Sequence, residues 1–152
     1  MKKVLFIFLV LFTIASCKDD TAKAVQEVQP DVIQFHGREA PQWLAALRSK
    51  LPMEIWKAFG VRDAQQIANA YQFDQAADRM LYDAPAKKLP GGNGEGFDWS
   101  IVADHDHHLP WGLAGGLDPE NVVEAMAATG APLVDVSSGV ERAPGVKDVD
   151  KI

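Results

Sequence analysis

The clearest pattern of apolar and polar positions runs from Trp111 to Glu141. Apolar Leu113 and Ala114 lead into Gly115-Gly116, and Asp118, Pro119 and Glu120 follow as an N-cap, a first-position proline and a first-turn acid. Val122, Val123, Met126 and Ala127 then recur at helical spacing, which predicts a helix turning that face to the core, closed by Gly130. Pro132 to Val136 is a short apolar run that predicts a buried strand, and it ends in Ser137-Ser138-Gly139. The stretch therefore predicts strand, glycine turn, helix, strand and Ser/Gly turn.

The same alternation continues upstream. Thr21 to Gln29 is compatible with a short helix that Pro30-Asp31 breaks. Val32, Ile33 and Phe35 predict a strand ending at His36-Gly37, and Pro41 opens a helix with Trp43, Leu44, Leu47 and Leu51 toward the core. A strand lies within Pro52 to Val61 and contains Lys57, for which a loop-supporting role and a chemical one are both open. Asp63 caps a helix running to about Tyr71, and Met80 to Tyr82 form a strand with Asp83 at its carboxyl end. A glycine-rich stretch, Gly91 to Gly96, leads into a helix at Phe97-Asp98-Trp99. Five strands are thus expected, near residues 31–36, 53–59, 79–83, 111–115 and 132–137, alternating with helices in the order of an α/β fold with a parallel sheet.

In such sheets the chemistry collects at the carboxyl ends of the strands. Small-residue turns at two adjacent strand ends expose backbone N–H groups that suit an anion, typically a phosphate, which makes Gly115, Gly116, Ser138 and Gly139 candidate phosphate-binding residues. Asp83 lies at a strand end before a long glycine loop, a position that favours chemistry over merely beginning a turn into Ala84-Pro85. Gln34 and His36 point toward the same mouth. The Gly91–Gly96 run is neither a Walker loop nor a dinucleotide fingerprint, because no Lys-Ser/Thr follows and the glycine spacing differs. Asp104 to His108 contains zinc-ligand residue types, but they are consecutive in a helix-to-strand connection, on the end opposite the mouth, where they should be solvated; no metal is expected.

Composition changes the picture at the amino terminus. The chain of 152 residues is 47% hydrophobic with a net charge of −6, and no basic stripe marks a nucleic-acid partner. Its single cysteine, Cys17, excludes an internal disulfide. Lys2-Lys3, an apolar run from Val4 and Ile14-Ala15-Ser16-Cys17 compose a bacterial lipoprotein signal, which would tie the chain to a membrane through lipidated Cys17. The alternative for the same run is an unusually apolar buried strand. The domain division expected is a signal-like or misassigned segment over 1–20 and one domain over 21–152.

The run LAGGLDPENV, followed by VDVSSGVE and PGVKD, resembles phosphoribosylanthranilate isomerases of tryptophan biosynthesis near their carboxyl end. QFHGRE resembles the family's fourth-strand motif, with Phe35 where leucine is more usual, and YDAPAKKLPGGNGEGFDW resembles the sixth strand and its mobile loop. The resemblance implies an incomplete (β/α)8 barrel of about strands four to eight, with Asp83 as general acid, the two small-residue turns on the substrate phosphate, and Gln34, His36, Asp135 and Ser137 lining the site. It implies a cytoplasmic enzyme needing no cofactor, acting on a small phosphoribosyl substrate. The family's Lys-Ile-Cys-Gly strand, whose cysteine is the general base, has no counterpart here, and Cys17 is not a substitute. Reduced or absent activity of the lone chain is therefore expected, as is a partner for its open edges: a complementary barrel half or a second copy. A non-catalytic lipoprotein or phosphate-ligand-binding remnant is the alternative.

Overall fold

The computed structural model describes residues 4–7, 25, 27–83 and 99–152. Strands and helices alternate: β1 (Val4–Ile7), β2 (Val32–Phe35), α1 (Pro41–Arg48), β3 (Glu54–Gly60), α2 (Ala64–Ala68), β4 (Arg79–Asp83), α3 (Ser100–Ala103), β5 (Trp111–Ala114) and α4 (Val122–Thr129). The sheet order is β1-β2-β3-β4-β5. Pairing is parallel, with Val4 opposite Val32 and Val32 opposite Glu54. This is the α/β class with a parallel sheet. Val4–Ile7 pairs with β2 in that sheet. Cys17 and its lipoprotein motif, the Gly91–Gly96 loop, Phe97 and Asp98 lie outside the described residues. Among the described residues no helix is long and apolar enough to cross a membrane.

The chain divides into two compact units, residues 1–58 with 71–80, and residues 59–70 with 81–152. In the first, Val32, Ile33, Phe35, Leu44 and Ile55 are fully buried. Pro41 stands at the start of α1, and Trp43 packs edge-on against Phe35 with ring centroids 5.7 Å apart. That contact sets the faces: Phe35 turns toward α1, so its register partner Lys57 shares that face while Gln34 and Trp56 take the other. The entry to β4 is clamped by Asp78. Its Oδ2 accepts the Ile55 N–H (2.8 Å), its own N–H donates to the Ile55 carbonyl (2.7 Å), and Arg48 donates to Oδ1 (2.6 Å).

In the second unit Asp63 caps α2 by accepting the Gln66 N–H (2.7 Å), as the sequence predicts, but the α-helix is short and a 3-10 turn over Asn69–Phe73 follows. Asp118 accepts N–H groups of Glu120 and Asn121 (both 2.9 Å) and its carbonyl takes the Val122 N–H, which closes a turn before the helix; α4 itself starts later than expected, with Asn121 rather than Asp118 as N-cap and Glu124 rather than Glu120 in its first turn. Gly130 closes that helix at φ 70°. The expected inward face is wrong, however. Ala125 and Thr129 are buried, whereas Val123 is 74% and Met126 40% exposed. Nearly every position of this helix is apolar, so hydrophobic spacing does not select a face. The small side chains face inward, and Thr129 satisfies its hydroxyl locally by donating to the Ala125 carbonyl (2.7 Å).

The expected strand at 132–137 is reduced to one parallel bridge between Leu113 and Val134, made by Leu113 N–H to the Leu133 carbonyl (2.9 Å) and Asp135 N–H to the Leu113 carbonyl (2.8 Å). Pro132 has no N–H to donate, and the turn begins at Ser137, so little length is left for a ladder. Beyond it an antiparallel hairpin, β6 (Glu141–Ala143) and β7 (Val146–Lys147), turns at Pro144-Gly145. Nor are the histidines of 105–108 all solvated. His107 stacks on Trp111 at 4.0 Å, and both His107 and His105 pack against buried Tyr82.

Candidate active site

Within the second unit, Asp83 ends β4 with its side chain exposed, while its backbone carbonyl accepts the Val61 N–H (3.0 Å). Tyr82, one residue earlier, points the opposite way into the ring cluster, so strand alternation turns Asp83 away from it. Gly115 and Gly116 follow β5 with φ of 94° and 55°, a left-handed pair that side chains disfavour. Successive N–H groups in such turns form anion-binding concavities. Asn121 fixes the turn by donating to the Gly116 carbonyl (3.0 Å).

Gly139 is packed against this segment. A methyl at its Cα would lie 2.8 Å from Asp118 Cα and Cβ and closer still to the Leu117 carbonyl oxygen. The second turn is therefore packed against the backbone that directly follows the first, at Leu117-Asp118. Asp135 precedes the second turn. Burial pushes its carboxyl above the usual range and the Asp83 carboxylate adds to that, while Lys147 opposes it. The two acids are thus close enough to feel each other. Ser137 and Ser138 are exposed on the turn itself.

Lys147 also meets the second turn, a contact the sequence analysis did not anticipate. Its ammonium donates to the Ser137 carbonyl (2.8 Å) and pairs with Glu141 (3.0 Å), tying the hairpin to the second turn. The signal was available: Pro144-Gly145 is a type II turn pair, with Gly145 at φ 77°, and it folds Lys147 back opposite Glu141.

The first unit holds Gln34, which is 8% exposed, and His36, which is exposed at the end of β2. Behind them Lys57 and Glu39 form a buried pair at 3.2 Å. Burial lowers the Lys57 pKa, and the charge of Glu39 counters it. Glu39 ends the QFHGRE motif, but nothing in the sequence pairs it with Lys57. Among the described residues no three His, Cys, Asp or Glu side chains come together as a metal site.

A parallel α/β sheet with an acid at a strand end and a glycine turn after the next strand is the class of fold whose sites collect at the carboxyl ends of the strands. Comparison narrows the class. Residues 12–152 match the family model for N-(5'phosphoribosyl)anthranilate (PRA) isomerase. An N-(5'-phosphoribosyl)anthranilate isomerase of Erythrobacter litoralis is 55% identical over 143 residues, covering 94% of this chain and 68% of the relative. The phosphoribosyl anthranilate isomerase structure from Thermotoga maritima superposes with a TM-score of 0.77 at 29% identity, covering 99% of this chain and 68% of that one. Another isomerase structure, in complex with reduced 1-(o-carboxyphenylamino)-1-deoxyribulose 5-phosphate, has a TM-score of 0.74 at 27% identity, covering 97% and 64%. The chain belongs to the N-(5'-phosphoribosyl)anthranilate isomerase family. It spans 57% to 68% of the length of the first curated relatives it matches.

Proposed function

We propose that this chain is a cytoplasmic phosphoribosylanthranilate isomerase of tryptophan biosynthesis with the parallel sheet of a (β/α)8 barrel, in which β2 to β5 and the Val134 bridge correspond to about strands four to eight and β1 pairs beside β2. The reaction is an Amadori rearrangement. Asp83 protonates the ribose ring oxygen, the ring C–O bond breaks to give an open-chain imine, and a base removes the C2 proton, leaving an enolamine that becomes the 1-deoxyribulose phosphate product. Gly115, Gly116, Ser138 and Gly139 hold the phosphate through backbone N–H groups, and Gln34, His36, Asp135 and Ser137 line the substrate. No cofactor or metal enters. The observation that carries this reading is the backbone contact of Gly139 with Leu117-Asp118, which joins two anion-suited turns, with Asp135 beside the second turn sensing Asp83.

The protein then binds the reduced product analogue by calorimetry and turns substrate over, read as loss of anthranilate fluorescence; absence of both refutes the reading. Asp83→Asn keeps analogue affinity within about threefold and lowers turnover by about 10²–10⁴-fold. Unchanged turnover removes Asp83 from the acid role. Size-exclusion with light scattering reads whether two copies associate.

A further inference from the structure

Glu39 and Lys57 are the buried charged side chains among the described residues, and the proposed chemistry uses neither. Their partners converge on one short backbone segment. Lys57 Nζ donates to the carbonyls of Ala58 (2.6 Å) and Gly37 (3.1 Å) and lies 3.5 Å from that of Phe35. Glu39 Oε1 accepts the Gly37 N–H at 2.8 Å, and Oε2 faces Lys57 at 3.2 Å. The Phe73 ring closes the cage, its centroid 5.5 Å from Nζ. The carbonyls on both sides of His36 thus point at one ammonium, and Gly37 is held from both its N–H and its C=O. A buried ion pair is seldom more stabilising than apolar residues of equal volume. Stability alone is a weak reason for this pair, whereas fixing one backbone geometry is a sufficient one.

We infer that Lys57 is a positioning residue: with Glu39 it clamps the backbone on either side of His36 and so sets how the imidazole is presented at the end of β2. Lys57 itself does not touch the substrate. The part of this inference that concerns ligand affinity rests on the isomerase reading, in which His36 lines the substrate site.

The test replaces the pair by apolar residues, Lys57→Met with Glu39→Leu, and uses Glu39→Gln as a milder second variant. Amide hydrogen exchange at Gly37 accelerates about tenfold in the double variant and at least about threefold in Glu39→Gln, while the Ile55 amide keeps its protection. Calorimetry with reduced 1-(o-carboxyphenylamino)-1-deoxyribulose 5-phosphate shows affinity falling about tenfold in the double variant and in His36→Ala, with no further loss when all three changes are combined. Unchanged Gly37 exchange, or additive losses in the combined variant, overturns the inference. If the parent chain does not bind the analogue, the isomerase reading fails, and Gly37 exchange still decides whether the pair is a clamp.

Discussion

Replacing Gly139 by alanine tests the contact on which the phosphate site depends. Carbon atoms pack best at about 3.5–4.0 Å. The added methyl would meet Asp118 Cα and Cβ at 2.8 Å, and the Leu117 carbonyl closer still. Two of these three atoms are backbone, so no rotamer change relieves them, and the two turns must separate. Overpacking of this kind costs about 1–3 kcal/mol. For a domain of this size that is a fall of about 3–10 °C in melting temperature. Gly130→Ala is the matched control. There φ is 70° and nothing lies within 4 Å of the added methyl, so the cost is backbone strain alone, about 1–2 kcal/mol. Both variants lose similar stability by urea denaturation followed by circular dichroism, but only Gly139→Ala separates the turns. Calorimetry with the reduced product analogue should then show an affinity loss of about tenfold for Gly139→Ala and none for Gly130→Ala. Equal affinity in the two variants would falsify a phosphate site made by apposed turns.

Three further outcomes follow from the charges. The Asp135 carboxyl is held above its usual range by burial and by Asp83, so the folded chain loses stability as pH rises through the aspartate range. Asp135→Asn therefore melts higher than the parent at pH 7 and level with it near about pH 3, and a lower melting point at pH 7 refutes the coupling. His107 is pushed below the usual imidazole value by burial, with His105 adding to the effect. Its contribution to stability is present above the ordinary imidazole range and is lost as pH falls through the depressed value. His107→Phe keeps a ring on Trp111 and should flatten the fall in melting temperature between about pH 7.5 and 5; an unaltered slope counts against it. Burial pushes the Asp78 carboxyl up, but its hydrogen bonds from Arg48 and the Ile55 N–H outweigh that and hold it low. Asp78→Ala leaves the Ile55 N–H without this acceptor and should cost about 1–3 kcal/mol in urea denaturation at pH 7, a difference that shrinks in acid.

Much of the order of elements was legible because caps and turn residues act locally. Asp63 and Gly130 stand where the residues alone place them, since each satisfies or ends a helix terminus with atoms three or four positions away, whereas Asp118 caps only the turn before α4, whose own N-cap is Asn121. Features set by tertiary contact were not legible. The inward face of α4 depends on how closely a neighbour approaches, which favours Ala125 over Met126, and hydrophobic spacing carries no such information. The run after Pro132 is apolar enough for a strand, but the bridge at Val134 is limited by the proline before it and the turn after it. Lys57 was visible as a residue with a loop-supporting and a chemical role both open, and its pairing depends on Glu39, eighteen positions away at the end of the QFHGRE motif, which spacing along the chain does not connect to it.

Strand alternation explains why supporting and reacting residues can sit side by side in sequence. In β4, Tyr82 joins the ring cluster with His105, His107 and Trp111, which commits Asp83 to the opposite face at the strand's carboxyl end. In the other unit, Phe35 packs on Trp43 and commits Gln34 to the opposite face, while Lys57, in register with Phe35, falls on the supporting side. A lysine in that place cannot reach the face of Gln34 from its own strand position. It can act on His36 only through the backbone, and its bonds to the carbonyls of Gly37 and Ala58 do run along the strand ends. A one-residue slip of β3 would exchange Lys57 for Trp56 on the supporting side and remove the clamp together with the packing of Ile55, so the fold and the presentation of His36 are specified by the same register.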